Sequence, residues 1–512
     1  MTVLMSKALL KRNQGLDTDS SQQVLSVINP KNTLRLLAMP MLWMGIVQGF
    51  FGLLSLFVFQ DRIARIFFSS SFVMILVAAL LLVLLRQSSL HKVTFRDAMM
   101  FASLTWVVTG GVGAIPIHVV TQVSMTDAIF ESISGLTTTG ATILSNLDSM
   151  PPSFLLYRQF LQWMGGLGVV IFVVAVLPIL NVGGMRLLKA ESPGPIKDDK
   201  LSPRISKTAH YLWGVYFVIT IGCALAYYLA GMSAYDAIAH SFTTVSTGGF
   251  STHDASMWYF ESHLILMLSN IFMMLGAISF GLHFRVFRSG FLGLKLYFSD
   301  EESRVFILII LVLSFLLGGY LFTQATYDSF FIALSFATFH VVSFITSTGF
   351  GAADLSCWPA ATALFLVLCA YLGGCSGSTA GGNKIVRDII TLKIIKREIY
   401  QLSYPRGLLP IRYQGRVIHS EVTNAVMAFL SLAALTTVIL TLLMMATGLD
   451  FWSSFTAVVA CLNVLGPGFG DVGSNFQPVS DAGIWVLNLA MILGRLEYFT
   501  VLVMLLPHFW KK

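Results

Sequence analysis

Four short segments, Thr138-Thr139-Gly140, Thr247-Gly248-Gly249, Ser347-Thr348-Gly349 and Gly466-Pro467-Gly468, recur along the chain, each followed by an apolar helical stretch. Their chemistry belongs to the backbone. Glycine lets a chain leave helical geometry, and non-helical backbone at membrane depth is tolerated only where it is buried in protein or lines a watery path. Carbonyls freed in this way can replace the water around a cation, binding it loosely enough for it to leave. The four segments therefore read as four strips of one ion-selectivity filter. The competing reading, glycines that let helices pack closely, would suit a single Ser-Thr-Gly. Four copies, each ending a short segment and preceding an acidic loop, favour the filter. In the second strip Gly249 is favoured over Gly248, because it precedes Phe250 as Gly349 and Gly468 precede Phe350 and Phe469. Asp236-Ala237-Ile238 also stands as far before Gly249 as Asp127-Ala128-Ile129 stands before Gly140.

A second constellation lies in the run Gly373-Gly374-Cys375-Ser376-Gly377-Ser378-Thr379-Ala380-Gly381-Gly382-Asn383-Lys384. Each interior glycine costs a helix about 1 kcal/mol relative to alanine, so the run predicts a broken helix with an irregular loop inside the membrane. Residues Gly377, Ser378, Thr379, Ala380, Gly381 and Gly382 are placed beneath the filter, where a loop can block the path; the alternative is a rigid packing kink. Arg495, in Gly494-Arg495-Leu496-Glu497, is a charge deep in an apolar span, which points to a functional role. Its guanidinium can donate to the carbonyls of the Gly377 to Gly382 loop, or it can form a structural ion pair with Glu497 or another acid. Lys384 and Arg387 are expected to snorkel to the cytoplasmic interface. His240, His253 and His340 are isolated in sequence and read as ordinary polar positions.

These residues need a membrane scaffold, and composition supplies one. Of 512 residues 56% are hydrophobic and only 11% charged, where soluble domains carry about 25% charged residues. Mean hydropathy is +0.78. The expectation is an all-α polytopic membrane protein. The polar stretch after Lys7, Lys11 and Arg12 has no small-residue cleavage pattern, so no signal peptide is read and the first membrane helix is expected to direct insertion. Five scattered cysteines without CxxC spacing indicate neither a disulfide framework nor a zinc site. The net charge of +7 sits in loops between apolar spans, which argues against nucleic acid as a partner and for membrane lipids.

Apolar spans of about 20 residues, enough to cross a bilayer, are expected near 34–58, 66–86, 98–120, 155–182, 209–230, 262–284, 304–323, 360–397, 421–446 and 483–507, giving ten transmembrane helices. Shorter segments at 125–139, 234–247, 328–347 and 450–465 end at the Gly motifs and read as re-entrant pore helices. A further glycine follows in each next span: Gly165, Gly276, Gly373 and Gly494. The unit helix, pore helix, filter, helix is thus used four times around a pseudo-fourfold pore. The expected organisation is a cytoplasmic N-terminus (1–33), a two-helix hairpin (34–92) and pore repeats at 93–208, 209–303, 304–416 and 417–512, the third carrying the gate loop.

Basic residues cluster in 186–207, 285–304 and 384–416, which places those loops in the cytoplasm. Asp148, Asp254, Asp354 and Asp471 follow the Gly motifs on the other side. They form an acidic outer rim that would concentrate cations, or they are turn-forming aspartates without a role in permeation.

The quadruple strip, the Gly373 to Gly382 run, Glu191-Ser192-Pro193-Gly194-Pro195 and Gly494-Arg495-Leu496-Glu497 closely resemble the superfamily of K+ transporters that includes bacterial TrkH and KtrB and plant HKT proteins. The resemblance covers nearly the whole chain after about residue 34, and the extra N-terminal hairpin is like that of the TrkH branch. It implies K+ uptake across a bacterial inner membrane by a multi-pass homodimer with one pore per subunit. It also implies K+ held by filter carbonyls, an intramembrane-loop gate touched by Arg495, and a cytoplasmic TrkA-like nucleotide-binding regulatory subunit. The chain has no Walker motif and no strand followed by GxGxxG, so any nucleotide belongs to that partner and no organic cofactor is expected. In relatives a serine in place of the first filter glycine is linked to Na+ permeation; Gly140 supports K+. Thr138-Thr139 and Gly466-Pro467 make the strips unequal.

Within transport, a Na+- or H+-coupled K+ symporter is the alternative. A secondary transporter of a small solute would show two repeats rather than four. No grouping of Ser, His and Asp, metal ligands or paired carboxylates suggests an enzyme.

Overall fold

The computed structural model describes residues 30–86, 95–171, 202–407 and 409–510. The N-terminal tail, the 186–201 part of the first basic loop, Glu191 to Pro195, and the 172–182 end of the fourth expected span lie outside the described residues.

Among the described residues the regular structure is helical apart from one short hairpin of two-residue strands. Helices α1 (Pro30–Leu54, extended by a π turn to Phe59) and α2 (Ala64–Leu84) form the expected N-terminal hairpin. The first repeat follows as α3 (Phe95–Thr121), the short α4 (Met125–Thr137) and α5 (Pro152–Ile171). The second is α6 (Ser202–Leu229), α7 (Ala234–Val245), α8 (His263–Ala277) and α9 (Phe280–Arg288), with α10 (Lys295–Ser299) as a linker. The third is α11 (Glu301–Thr323), α12 (Phe330–Ile345), α13 (Ala360–Leu372) and α14 (Ile385–Ser403). The strands β1 (Arg412–Tyr413) and β2 (Arg416–Val417) pair antiparallel before the fourth repeat. That repeat comprises α15 (Ser420–Ala446), α16 (Phe451–Leu462), α17 (Asp481–Arg495), α18 (Phe499–Leu505) and α19 (Pro507–Trp510).

Six described helices are long and apolar enough to cross a membrane, and eight spans result if each bent pair counts as one. The bends are 99° between α8 and α9 and 119° between α17 and α18. The eighth expected span, 360–397, is not one helix. It is α13 and α14 separated by the glycine-rich run, as the helix cost of those glycines predicts.

Helices α4, α7, α12 and α16 coincide closely with the expected re-entrant segments. At 1.5 Å per residue none of them reaches the ~30 Å of a hydrocarbon core. Ser124 caps α4 by accepting from Asp127 N at 3.1 Å, Ser233 caps α7 from Asp236 N at 3.0 Å, and Asp450 caps α16 from Trp452 N at 2.8 Å. The negative ends of these helix dipoles therefore run into the strips, a favourable field for a cation.

Packing in lipid cannot rely on a hydrophobic drive between helices, so buried polar side chains and close backbone approach do the joining. Gln48 on α1 accepts from Ser70 of α2 at 2.7 Å and donates to the Val112 carbonyl of α3 at 3.1 Å. Tyr157 of α5 donates to the Gly113 carbonyl at 3.1 Å. Outward faces carry bare apolar side chains such as Phe57, Phe72 and Val83, suited to lipid.

Candidate ion pathway

Each short helix ends on a residue in the left-handed region, followed two places later by a glycine with positive φ: Thr138 and Gly140, Thr247 and Gly249, Ser347 and Gly349, Val464 and Gly466. The residue between them donates its N–H back into the short helix: Thr139 to Ser134 O at 2.9 Å, Gly248 to Thr243 O at 2.8 Å, Thr348 to Ser343 O at 2.8 Å, and Leu465 to Ala460 O at 2.8 Å. The four strips are thus one backbone motif repeated.

The motif fixes two registers. Gly249, not Gly248, is the counterpart of Gly140, as the Phe and Asp spacings predict. In the fourth repeat the counterpart is Gly466, so that strip is Val464-Leu465-Gly466, and Pro467 and Gly468 lie beyond it. Aligning the following phenylalanines, which points to Gly468, fails because the backbone bond of Leu465 ends the short helix two residues earlier than that alignment assumes.

The glycines also close the strips on one another. A Cβ on Gly140 would lie 2.2 Å from Gly248 O, one on Gly249 1.8 Å from Thr348 O, one on Gly349 1.9 Å from Leu465 O, and one on Gly466 2.7 Å from Thr139 O. The order first, second, third, fourth and back to first makes a closed ring. No side chain fits at these four positions without displacing backbone.

Side chains behind the ring hold it. Glu131 of α4 accepts from Thr142 Oγ1 and Ile143 N, both at 3.0 Å. His240 of α7 contacts Ser251 Oγ through Nε2 at 2.9 Å, and His340 of α12 accepts from Ala352 N at 3.3 Å. In α16 Thr456 accepts from Phe469 N and donates to Phe469 O, both at 3.0 Å. His240 and His340 are therefore braces of the second and third strips rather than ordinary polar positions. The sequence signal was available: Glu131, His240 and His340 stand equally far before Thr138, Thr247 and Ser347.

Glycines of the following helices seat against the ends of the short helices. A Cβ on Gly165 would meet Leu136 O at 1.8 Å, on Gly276 Val245 O at 2.7 Å, and on Gly494 Leu462 O at 2.0 Å. Gly373 breaks the pattern. It has φ +75° and faces Gly381 across the opening of the irregular loop.

That loop sits against the inner ends of three strips. Thr379 Oγ1 donates to Gly276 O at 2.9 Å and to Val245 O at 3.1 Å, and accepts from Thr247 Oγ1 at 3.2 Å. Gly381 N donates to Ser347 Oγ at 2.6 Å, and a Cβ on Gly381 would lie 2.2 Å from Asn463 O. Arg495 Nη1 donates to Thr379 O at 2.9 Å. Of the partners open to Arg495 the loop carbonyl is the one found, because Glu497 is taken by Arg387, whose Nη2 lies 2.7 Å away. The expected snorkelling of Lys384 and Arg387 is not found. Arg387 is 7% exposed and stacks 3.8 Å over Phe429, and Lys384 Nζ donates to the Ala380 carbonyl. Carboxylate and carbonyl acceptors inside the protein hold both groups where an unpaired charge would have to reach water.

On the opposite face Asp148, Asp254, Asp354 and Asp471 are all exposed. Asp354 folds back on its own turn, accepting from Ser356 N at 2.9 Å. Asp148 instead meets His253 Nδ1 at 2.5 Å, while His253 Nε2 lies 3.3 Å from Asp236. Partial burial opposes charge on His253, but hydrogen bonds to Asp236 and Asp148 outweigh it and raise the pKa above the usual 6.5. A short bridge thus joins the outer loops of the first two repeats.

Among the described residues, no cluster of three or more His, Cys, Asp or Glu could hold a metal. The five cysteines are free, Cys357 alone of them exposed.

The family model for TrkH, described as a cation transport protein, matches residues 63–512. The chain is 44% identical over 423 residues to the Trk system potassium uptake protein TrkH of Vibrio parahaemolyticus, covering 82% of this chain and 87% of that protein. It is 42% identical over 463 residues to the protein of the same name in Escherichia coli K12, covering 90% and 95%. A crystal structure of the potassium transporter TrkH from Vibrio parahaemolyticus superposes with a TM-score of 0.87 at 38% identity, covering 94% of this chain and all of that one.

Proposed function

The chain belongs to the TrkH family of cation transport proteins, and from that premise we propose that it takes up K+ across a bacterial inner membrane as the pore-forming subunit of a Trk-type system. The closed ring of four strips is the observation that carries the reading. The strips leave helical geometry over residues 138–140, 247–249, 347–349 and 464–466; the Thr139, Gly248, Thr348 and Leu465 carbonyls face the neighbouring strip, and the remaining carbonyl dipoles can replace a hydration shell without trapping a monovalent ion. Four converging short helices add the negative ends of their dipoles.

The irregular loop from Gly377 to Gly382 is the gate in this reading. Its hydrogen bonds to Val245, Gly276 and Ser347 seat it against the ring, and Arg495 pins it through Thr379. A cationic side chain at that level also opposes an unscreened cation, so releasing the loop and moving Arg495 open the path together. The hairpin of α1 and α2 stands outside the four repeats that surround the pore.

A nucleotide-binding regulatory subunit of the TrkA type on the inner face supplies the signal in this proposal. It is supported by the relatives' naming as parts of a Trk system and by the basic residues Arg285, Arg288, Arg304 and Lys396. A homodimer with one pore per subunit completes the assembly, and lipid covers the exposed apolar helix faces.

The test is cation flux into liposomes containing the purified chain. K+ uptake should exceed Na+ uptake, and Gly140→Ser should lower the K+/Na+ ratio. Equal permeation of both ions by the unaltered chain, or an unchanged ratio in the variant, would refute the filter assignment. Flux that requires a Na+ or H+ gradient would identify a symporter instead.

A further inference from the structure

Behind the first two strips lies a charged pair with no counterpart among the described residues of the other repeats. Arg158 on α5 is 1% exposed and Glu131 on α4 is fully buried, and Arg158 Nε donates to Glu131 Oε1. Two apolar residues would pack there without the cost of desolvating two charges. The pair is therefore explained by what else it holds. On one side Glu131 accepts from Thr142 Oγ1 and Ile143 N of the first strip's outgoing segment. On the other side Arg158 Nη1 donates to Ser251 O at 3.3 Å, and its guanidinium carbon lies 3.5 Å from the centre of the Phe250 ring. Phe250 and Ser251 directly follow Gly249 in the second strip.

One helical turn further along α5, Gln162 continues the grip. Its Nε2 donates to Gly248 O at 2.7 Å, and its Oε1 accepts from Phe250 N at 3.1 Å. It also fills the space where a Cβ on Gly248 would stand, 2.5 Å from the Gln162 Cδ. Gly248 O is the oxygen against which Gly140 is seated, so Gln162 and the ion pair act on the junction of the first and second strips from behind.

We propose that Glu131, Arg158 and Gln162 form a strut that sets the spacing of the first two filter strips, and are thereby positioning residues for ion selectivity. The proposal rests on the filter reading above. The physical argument is one of stiffness. In the size-selective account of a backbone-carbonyl site, the oxygens disfavour a smaller cation by resisting inward movement, and hydrogen bonds from behind supply that resistance. The strut reaches both strips through charge-assisted contacts, which are stronger than the neutral hydroxyl and imidazole contacts that brace the third and fourth. The junction of the first two strips is then the stiffest part of the ring. The small-ion leak in strut variants should arise there.

The experiment compares K+, Rb+ and Na+ uptake on the same vesicles for the unaltered chain, Gly140→Ser, Arg158→Gln, Glu131→Gln and Arg158→Lys. A variant that merely misfolds lowers all three fluxes together and leaves their ratios alone, so the ratio isolates the positioning role. Arg158→Gln and Glu131→Gln should each lower K+/Na+ by about tenfold, the change produced by ~1.4 kcal/mol of differential site energy. Arg158→Lys keeps the charge on Glu131 but loses the planar contact with Phe250, so its ratio should fall between. If Gly140→Ser shifts the ratio while every strut variant keeps it, the strut is overturned and the filter stands. If Gly140→Ser also leaves it unchanged, both fall. Should Arg158→Gln and Glu131→Gln give too little protein to measure, Arg158→Lys alone decides: an unaltered ratio in it refutes the strut.

Discussion

Glu302, in the first turn of α11, accepts a 2.7 Å hydrogen bond from the backbone N–H of Ser376, at the start of the irregular loop. The loop is therefore held from two sides, by a carboxylate at Ser376 and by the Arg495 guanidinium at Thr379. Neighbouring Glu301 binds Lys393 and accepts from Gln414 N of the β-hairpin at 2.7 Å. Three consecutive acidic residues, Asp300 to Glu302, connect the inner surface to the loop.

Loosening either hold should favour the open path. Hydrogen bonds to charged groups contribute about 1.5–3 kcal/mol each, enough to shift an open-to-closed ratio by roughly tenfold to a hundredfold. Arg495→Ala and Glu302→Gln should therefore each raise basal K+ flux in liposomes without any regulatory partner, the first more than the second because glutamine can still accept from Ser376. Unaltered basal flux in both would remove the loop from gating.

The register of the fourth strip makes a separate prediction. Gly466 has φ +96° and faces Thr139 O, whereas a Cβ on Gly468 would meet the side chain of Val472, which can shift. Gly466→Ala should abolish selective K+ uptake, and Gly468→Ala should preserve the K+/Na+ ratio. The opposite ranking would restore the phenylalanine alignment.

The outer bridge predicts a pH effect. The pKa of His253 is raised in the folded protein, so its charged contacts with Asp148 and Asp236 are fully present below about pH 6.5 and are lost as pH rises through the raised value. Asp148 adds the converse edge. Burial opposes its ionisation, but the contact with His253 prevails and lowers its pKa, so its share fails only as pH falls through that lowered value. The groups facing His253 also include the Tyr259 ring, stacked 3.4 Å away, and His240 at 6.4 Å. Amide hydrogen exchange over residues 251–256, corrected for intrinsic rates, should accelerate above neutrality and become pH-independent in His253→Gln. Protection that stays constant from pH 6 to pH 9 in the unaltered chain would remove the bridge.

The backbone features were the most legible in the sequence. Short apolar segments that stop at Gly motifs specify re-entrant helices through length and through the cost of glycine in a helix, and α4, α7, α12 and α16 appear where that predicts. The fourth strip was misplaced because proline and two glycines look like a motif, while the residue that adopts the left-handed conformation is Val464, a β-branched residue held there by the end of α16. Long-range partners were hidden for another reason. Nothing local in the sequence ties Arg158 to Phe250 or Arg387 to Glu497, since these pairs exist only after helices from different repeats have packed. His240 and His340 were readable in principle, but only once Glu131 was placed in the same column.

Closure of the ring within a single polypeptide changes how its chemistry can vary. In a pore built from four identical chains one codon alters four positions at once. Here one codon alters a single strip, and that strip touches two neighbours through Gly140, Gly249, Gly349 or Gly466. On the filter reading, ion preference can therefore drift in quarter steps, each judged by the unaltered three quarters.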